Sequence, residues 1–545
     1  MEMQFYFRRV YAMTFKKYLT GPTVLALFFM ISMFLVGWIY NKSVFFPLDD
    51  SYIYVKQSSN LAQGYFLKYS KWDEYTNSNS SLLYYLLMSL VWKVSTLFSD
   101  KTDVILEFVV WITFLLNLPL FIFFGVRARQ ILEESPLVEN EKKNYLWLIL
   151  TCAPIWYNFL NGLETGLTIT LVACQFYAFI KRRHSEFLIL TLLLSINRPE
   201  NIILNLLYIG IYLFQNFRTP ELKVALRNST LILISLGTIP ITDFLLTGIF
   251  KTASSARVGS IGLAHFAYFG KSLFRALSTF YFSPDFLMPW LEKCYRALYI
   301  VVGWSMTLPL LYKIFLSEKT KVVKHEKWSL DFSRLLPDIK TKKFFYLAIM
   351  ILAVGYGGIP TLLGTYGEWA RYVAPILFFI GIILLLVIRP PQLVLAVLFV
   401  LNVLMYPPYL ISHLNITSLI RTLLHPVALK VEEVVKEGET LSIDSAGYMS
   451  LFHKGNVIDV YGLGTTRYMK VHGNFPKVYD LIRGDNISYI VAWPTEKFIY
   501  YLDSAHYRAA LGEDALEEIY TAEPETFTTI QSDFPKRITL YKVRK

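Results

Sequence analysis

The stretch "TVLALFFMISMFLVGWIYNKSVFFPLDD" occupies residues 23–50 and decides how the rest is read. Residues 23–40 carry no charged side chain. A helix needs about 20 apolar residues to cross the hydrocarbon core of a bilayer. The run lacks a small-residue cleavage pattern, so it is expected to remain as a span rather than be removed as a signal. A few residues past its end stand two adjacent carboxylates, Asp49 and Asp50. The pattern is a membrane span delivering acid to a membrane surface.

The same reading extends along the chain. Of its 545 residues 54% are hydrophobic and the mean hydropathy is +0.42, above the range of soluble domains. Further candidate spans lie near 81–99, 104–125, 146–161, 165–181, 187–197, 202–216, 229–250, 295–316, 344–363, 372–388 and 391–411. They are expected to be helical, because lipid offers no partner for an open backbone. Aromatic content of 16% fits interfacial Tyr and Trp belts.

A formal charge of +12 would point to nucleic acid in a soluble protein. Here Arg8, Arg9, Lys16, Lys17, the tetrad "KRRH" (181–184), "RTPELKVALR" (218–227) and the Lys-rich 317–343 sit in tails and loops between apolar runs. The positive-inside rule accounts for that placement and sets those segments on the cytoplasmic side. Residues 41–80, 251–294, 364–371 and 412–545 are then expected outside. An odd number of crossings must separate the first span's outer end from "KRRH", yet four candidates intervene. One of 81–99 and 104–125 is expected to be re-entrant or interfacial. The three cysteines, Cys152, Cys174 and Cys294, form no CxxC or Cys/His cluster, so neither disulfide framework nor zinc site is indicated.

Past residue 412 the long apolar runs stop. Strand-like "TLSID", "NVIDVYGL", "ISYIVAW" and "RITLYKV" alternate with helical "FPKVYDLIRG", which predicts a small extracytoplasmic α/β domain over 412–545 after a multi-span domain over 1–411.

In residues 51–63, Tyr52, Val55 and Leu61 recur among polar residues at helical spacing, predicting a short interfacial helix broken at Gly64. Carboxylates at its head suit base chemistry on a lipid-borne substrate. They equally suit the acidic N-terminus of that helix. "NGLETGL" (161–167) sets Glu164 between apolar segments, where an acid is expensive unless wet or paired. "INRPEN" (196–201) interrupts another apolar stretch with Arg198 and Glu200, which could pair with each other. "GEWARYVAP" (367–375) opens a late span with Arg371 and Tyr372; the Arg suits a phosphate, and the set suits an ordinary belt. "SIDSAGYMSLFHKGNVIDVYGLGT" (442–465) reads as strand ends with turn glycines at Gly447, Gly462 and Gly464.

Taken in order, these five segments resemble GT-C fold glycosyltransferases, especially the bacterial arabinofuranosyltransferase-like branch. In that family a "DDAYI" motif precedes an "N-L-x-x-G-x-G" turn and a "Y-T-[NS]-P-L" stretch. Asp49, Asp50, Tyr52, Asn60, Leu61, Gly64, Tyr75, Thr76 and Asn77 stand in the equivalent places here. "TNSNSSL" replaces "TNPL". "SGLET-x-L", "L-T-R-P-E", "x-R-Y-L-x-P" and "D-x-G-x-x-x-Y…V-I-D-x-x-G-L" are the family's counterparts of the other four.

The resemblance implies a polytopic α-helical membrane protein of the cytoplasmic (inner) membrane. It implies transfer, with inversion, of a sugar from a polyprenyl-phosphate donor to an extracytoplasmic glycan, lipid or protein. Asp49 would be the base, with Asp50 the substitute. Arg371 would hold the departing phosphate, with Arg257 and Lys271 as weaker candidates. Glu164, Arg198, Glu200 and Tyr372 would line the substrate site. Neither metal, cofactor nor nucleotide is demanded, and the lipid surface is itself a partner. A protein O-mannosyltransferase-like activity is the nearest enzymatic alternative. A transporter or flippase and a non-enzymatic scaffold are the rival classes. The chain has no internal repeat of the kind transporters use.

Overall fold

A computed structural model describes residues 20–247 and 392–544 apart from 73, 77–80, 135–137, 182, 199–200, 202–204, 207, 211–212, 214–221, 444–446, 463, 472–473, 493–502 and 524–536. The candidate spans at 295–316, 344–363 and 372–388 lie outside the described residues.

The described part is a helical bundle carrying a small sheet domain. Its helices are α1 (Gly21–Asn41), α2 (Asp49–Ala62), α3 (Leu82–Ser95), α4 (Thr102–Glu133), α5 (Glu139–Thr151), α6 (Ala153–Tyr157), α7 (Thr165–Ile180), α8 (His184–Asn197), α9 (Leu222–Thr247), α10 (Gln392–Leu404), α11 (Tyr406–Leu419) and α12 (His425–Val434). Among the described residues three helical stretches are long and apolar enough to cross a membrane: Gly21–Asn41, Thr102–Glu133 and Leu395–Val434. The last is 40 residues long, so the apolar helix continues well past residue 411 before the first strand begins at Thr440. Within it Ile420–Leu424 is a π-helical turn. Such a turn carries one extra residue and rotates the helical segment beyond it.

Long-range contacts order the two ends of the bundle. At the end bearing "KRRH", Lys181 Nζ meets Glu134 at 2.6 Å and Arg127 meets Glu186 at 3.7 Å. At the other end Ser51 Oγ donates to the Asn161 carbonyl at 2.6 Å, and Arg198 Nε meets Glu164 at 3.3 Å. Helix α4 therefore runs towards "KRRH", α5 with α6 runs back, α7 runs towards it again, and α8 returns. Helix α3 does neither. Its first turn is held near Asp49, where Ser81 Oγ donates to Asn197 Oδ1 and the Tyr84 hydroxyl donates to the Gly162 carbonyl. Its last turn connects through a short link to Thr102, whose hydroxyl donates to Glu432 of α12. Both ends of α3 thus belong to the Asp49 end. Three passes, an odd number, separate Asp49 from "KRRH".

The sheet domain has five strands, β1 (Thr440–Ile443), β2 (Asn456–Asp459), β3 (Tyr489–Ala492), β4 (Leu516–Ala522) and β5 (Ile538–Val543), in the order β2-β1-β3-β5-β4. The first three pair in parallel, and β5 and β4 add antiparallel. Helices α13 (Thr466–Lys470), α14 (Phe475–Gly484) and α15 (Ser504–Leu511) complete it. Val478 and Ile482 of α14 and Tyr507 of α15 pack with Ile458 and Ile490 in a core of the domain's own. The other sheet face, including Leu441, Val457 and Val491, is continuous with the core of the bundle. The domain is therefore seated on the bundle by apolar burial.

Candidate active site

Helix α2 begins where the loop after α1 turns back, and Gly64 at φ +94° breaks the chain out of it. Its N-cap is Leu48, so Asp49 and Asp50 occupy the first turn, where the helix dipole favours anions. The interfacial helix expected from sequence is instead enclosed: Ser51 to Asn60 are all buried. The reason is tertiary. The sheet domain covers the side of α2 that would otherwise face water. Lys56 Nζ donates to the His453 carbonyl at 3.2 Å, Ser70 Oγ donates to Asn456 at 2.8 Å, and Thr466 donates to the Tyr75 carbonyl at 2.8 Å.

Asp49 lies in this seam. Its Oδ1 accepts the Tyr448 backbone N–H at 2.8 Å. Gly447 packs so closely that a Cβ there would overlap the Asp49 carboxylate and carbonyl. The sequence marked Gly447 as a turn glycine of the outer domain; it is the wall of the carboxylate's site. Gly462, at φ +87°, does serve a turn, and Asp459 accepts the N–H groups of Tyr461 and Gly464 there. Tyr52 holds the approach to α2: its hydroxyl accepts the Phe46 N–H at 2.9 Å, and its ring meets Tyr448 edge-on at 4.8 Å. Tyr69, fully buried beside this group, keeps its phenolic proton. Burial raises it well above its ordinary value, the charges of Asp459 and Asp49 push the same way, and a Ser450 hydrogen bond opposes them.

The turn carrying Glu164 abuts α2 through Ser51 and Asn161. Gly162 adopts φ +75° against the Phe46 ring, leaving no room for a side chain. Glu164 and Arg198, 3% and 2% exposed, form a buried ion pair. This joins two motifs that stand apart in sequence. Arg198 meets Glu164 because α7 and α8 pack side by side and bring their ends near Asp49 together. A buried charge without a partner would cost several kcal/mol. Glu200, Arg257, Lys271, Arg371 and Tyr372 lie outside the described residues.

Beyond Tyr52 and Tyr448 opens a cavity of about 220 Å³, lined by Ser43, Phe45, Asp103, Glu107 and His425 among others. His425 Nδ1 lies 2.8 Å from the Tyr448 hydroxyl. Asp103, Glu107 and His425 escaped the sequence reading. Glu107 stands in an apolar run read only as a span, Asp103 stands in the short link before it, and His425 stands alone. Among the described residues no group of three or more His, Cys, Asp or Glu is arranged to hold a metal.

No known family's sequence profile matches the chain, and no curated protein matches it. Among solved structures it is similar to ArnT from Cupriavidus metallidurans, determined bound to undecaprenyl phosphate. The TM-score is 0.46 at 11% identity, over 96% of this chain and 98% of that one.

Proposed function

We propose that this protein is an integral membrane glycosyltransferase that takes a sugar from a polyprenyl-phosphate donor, with Asp49 as the general base. The observation that carries the reading is the placement of Asp49. It heads the first helix after a bilayer-length span, oriented by a backbone N–H from a second domain. The order of the five family-like segments supports the same class, and the arabinofuranosyltransferase-like branch is the finer assignment.

The chemistry is displacement at the anomeric carbon. The acceptor oxygen forms a bond to C1 from the face opposite the phosphate, and the C1–O bond breaks with its electron pair leaving on polyprenyl phosphate. The acceptor's proton passes to the Asp49 carboxylate, and the anomeric centre inverts. The departing phosphate gains charge and needs a fixed cation, a role we assign to Arg371. Glu164 and Arg198 shape the substrate side of α2. Asp50 substitutes as base if Asp49 serves only to anchor the helix.

The test uses purified protein in lipid nanodiscs with polyprenyl-phosphate-linked arabinofuranose and mannose as probes and water as the acceptor. Release of free sugar is expected from one of them, and Asp49→Asn should lower it by a factor on the order of 100 or more. Loss in Asp50→Asn alone would exchange the two roles. Wild-type rates in both single variants and the double variant would overturn the proposal, as would no turnover of either donor.

A further inference from the structure

Asp49 and Tyr448 are 399 residues apart in sequence and joined by a hydrogen bond. A carboxylate on the first turn of a helix has two side-chain torsions to settle. A base must hold its oxygen to within a few tenths of an ångström of the proton it takes. The bundle alone supplies the backbone of Asp49. The wall against its carboxylate comes from the sheet domain.

We infer that Gly447 and Tyr448 are positioning residues for Asp49, so that seating the sheet domain on α2 sets the base. The inference rests on Asp49 being the base. Gly447 has a negative φ, −84°, so no left-handed backbone calls for a glycine there. What calls for it is space: the carboxylate and carbonyl of Asp49 fill the place of a Cβ. The turn is pinned from its other side, since Ser450 Oγ donates to the Gly447 carbonyl at 2.7 Å. Tyr448 is anchored twice, by its ring on Tyr52 and by its hydroxyl on His425. The π-helical turn immediately before His425 sets the rotation at which this imidazole meets Tyr448. Three hydrogen bonds along the seam, from Lys56, Ser70 and Thr466, hold the domain in that seat. An N–H donated to a carboxylate also favours its ionised form, the form a base requires.

The experiment is a double-mutant cycle on release of free sugar from polyprenyl-phosphate-linked arabinofuranose and mannose, with melting temperature followed in parallel. Gly447→Ala must push the carboxylate by about 1 Å, a displacement that costs on the order of 100-fold in kcat. KM for the donor should stay unchanged, and the acidic limb of the rate profile should move to higher pH. Because Gly447 acts through Asp49, Asp49→Asn with Gly447→Ala should be no slower than Asp49→Asn alone. Should alanine at 447 prevent folding, Tyr448→Phe decides. It keeps the ring and the backbone donor and loses only the anchor on His425, with an expected fall in kcat of about tenfold or less and the same movement of the acidic limb. Multiplicative losses in the cycle overturn the inference. So does a wild-type rate and pH profile in Gly447→Ala, or in Tyr448→Phe, while Asp49→Asn is inactive. A wild-type rate in Asp49→Asn overturns the base assignment itself and this inference with it.

Discussion

Replacing Lys56 by Met should tighten the seam between α2 and the sheet domain and abolish most of its pH dependence between pH about 7 and about 10.5. Lys56 is 6% exposed. Burial first, and the charge of Lys71 second, push its ammonium down from 10.5 to about 7. That displacement corresponds to on the order of 5 kcal/mol between the two protonation states. The folded protein holds this proton less tightly than the unfolded chain. Between pH about 7 and about 10.5 the unfolded chain therefore carries the extra proton, and stability rises with pH across that window. Below pH 7 both states carry it, and the full cost of a buried ammonium is present. Met keeps the length of the side chain without the charge. It gives up the bond to the His453 carbonyl, worth about 1 kcal/mol. The net gain at pH 7 and below should be a few kcal/mol, vanishing towards pH 10. The assay is the denaturant concentration at which protease begins to cut residues 440–544 of the nanodisc-embedded protein, taken from pH 6 to pH 10. Parallel pH curves for wild type and Lys56→Met, or a lower midpoint for Met at pH 6, would refute the reasoning.

Glu164→Gln leaves Arg198 charged and buried, and should cost on the order of 3–5 kcal/mol, read as a loss of melting temperature in detergent. The double variant Glu164→Leu with Arg198→Met should recover most of that; if Glu164→Gln melts normally but no longer binds donor, the pair belongs to the substrate instead. Arg371→Lys should lower both turnover and affinity for the polyprenyl-phosphate donor, because Lys lacks the two-pronged donor. Equal function in Lys, with a folding defect in Ala, would assign this residue to the interfacial belt. Cysteine labelling at position 324 should occur only from the cytoplasmic side and at position 454 only from the other; labelling of both from one side would defeat the orientation drawn from the basic loops.

What the amino-acid order determined alone is what depends on neighbours in the chain. The run at 23–40 becomes α1 because its apolar length matches a bilayer. The helix after Asp49 and its break at Gly64 arise from spacing and from a residue free to take positive φ. Four of the five strands were legible from β-branched and aromatic runs. The fifth, Leu516–Ala522, was missed because its two glutamates hide an edge strand whose order comes from pairing with β5. Asp49, Glu164 and Arg198 were visible because a charge beside or within an apolar run announces its own cost. Their partners were not visible. Arg198 pairs with Glu164 from a motif more than thirty residues away, and α3 stays at one end of the bundle although its composition resembles a span. Gly447 faces a carboxylate and does not merely close a turn. Each of these turns on contacts between segments tens to hundreds of residues apart. Hydropathy and periodicity report which face of an element is buried; only the packing of α2 beneath the sheet domain decides what it is buried against.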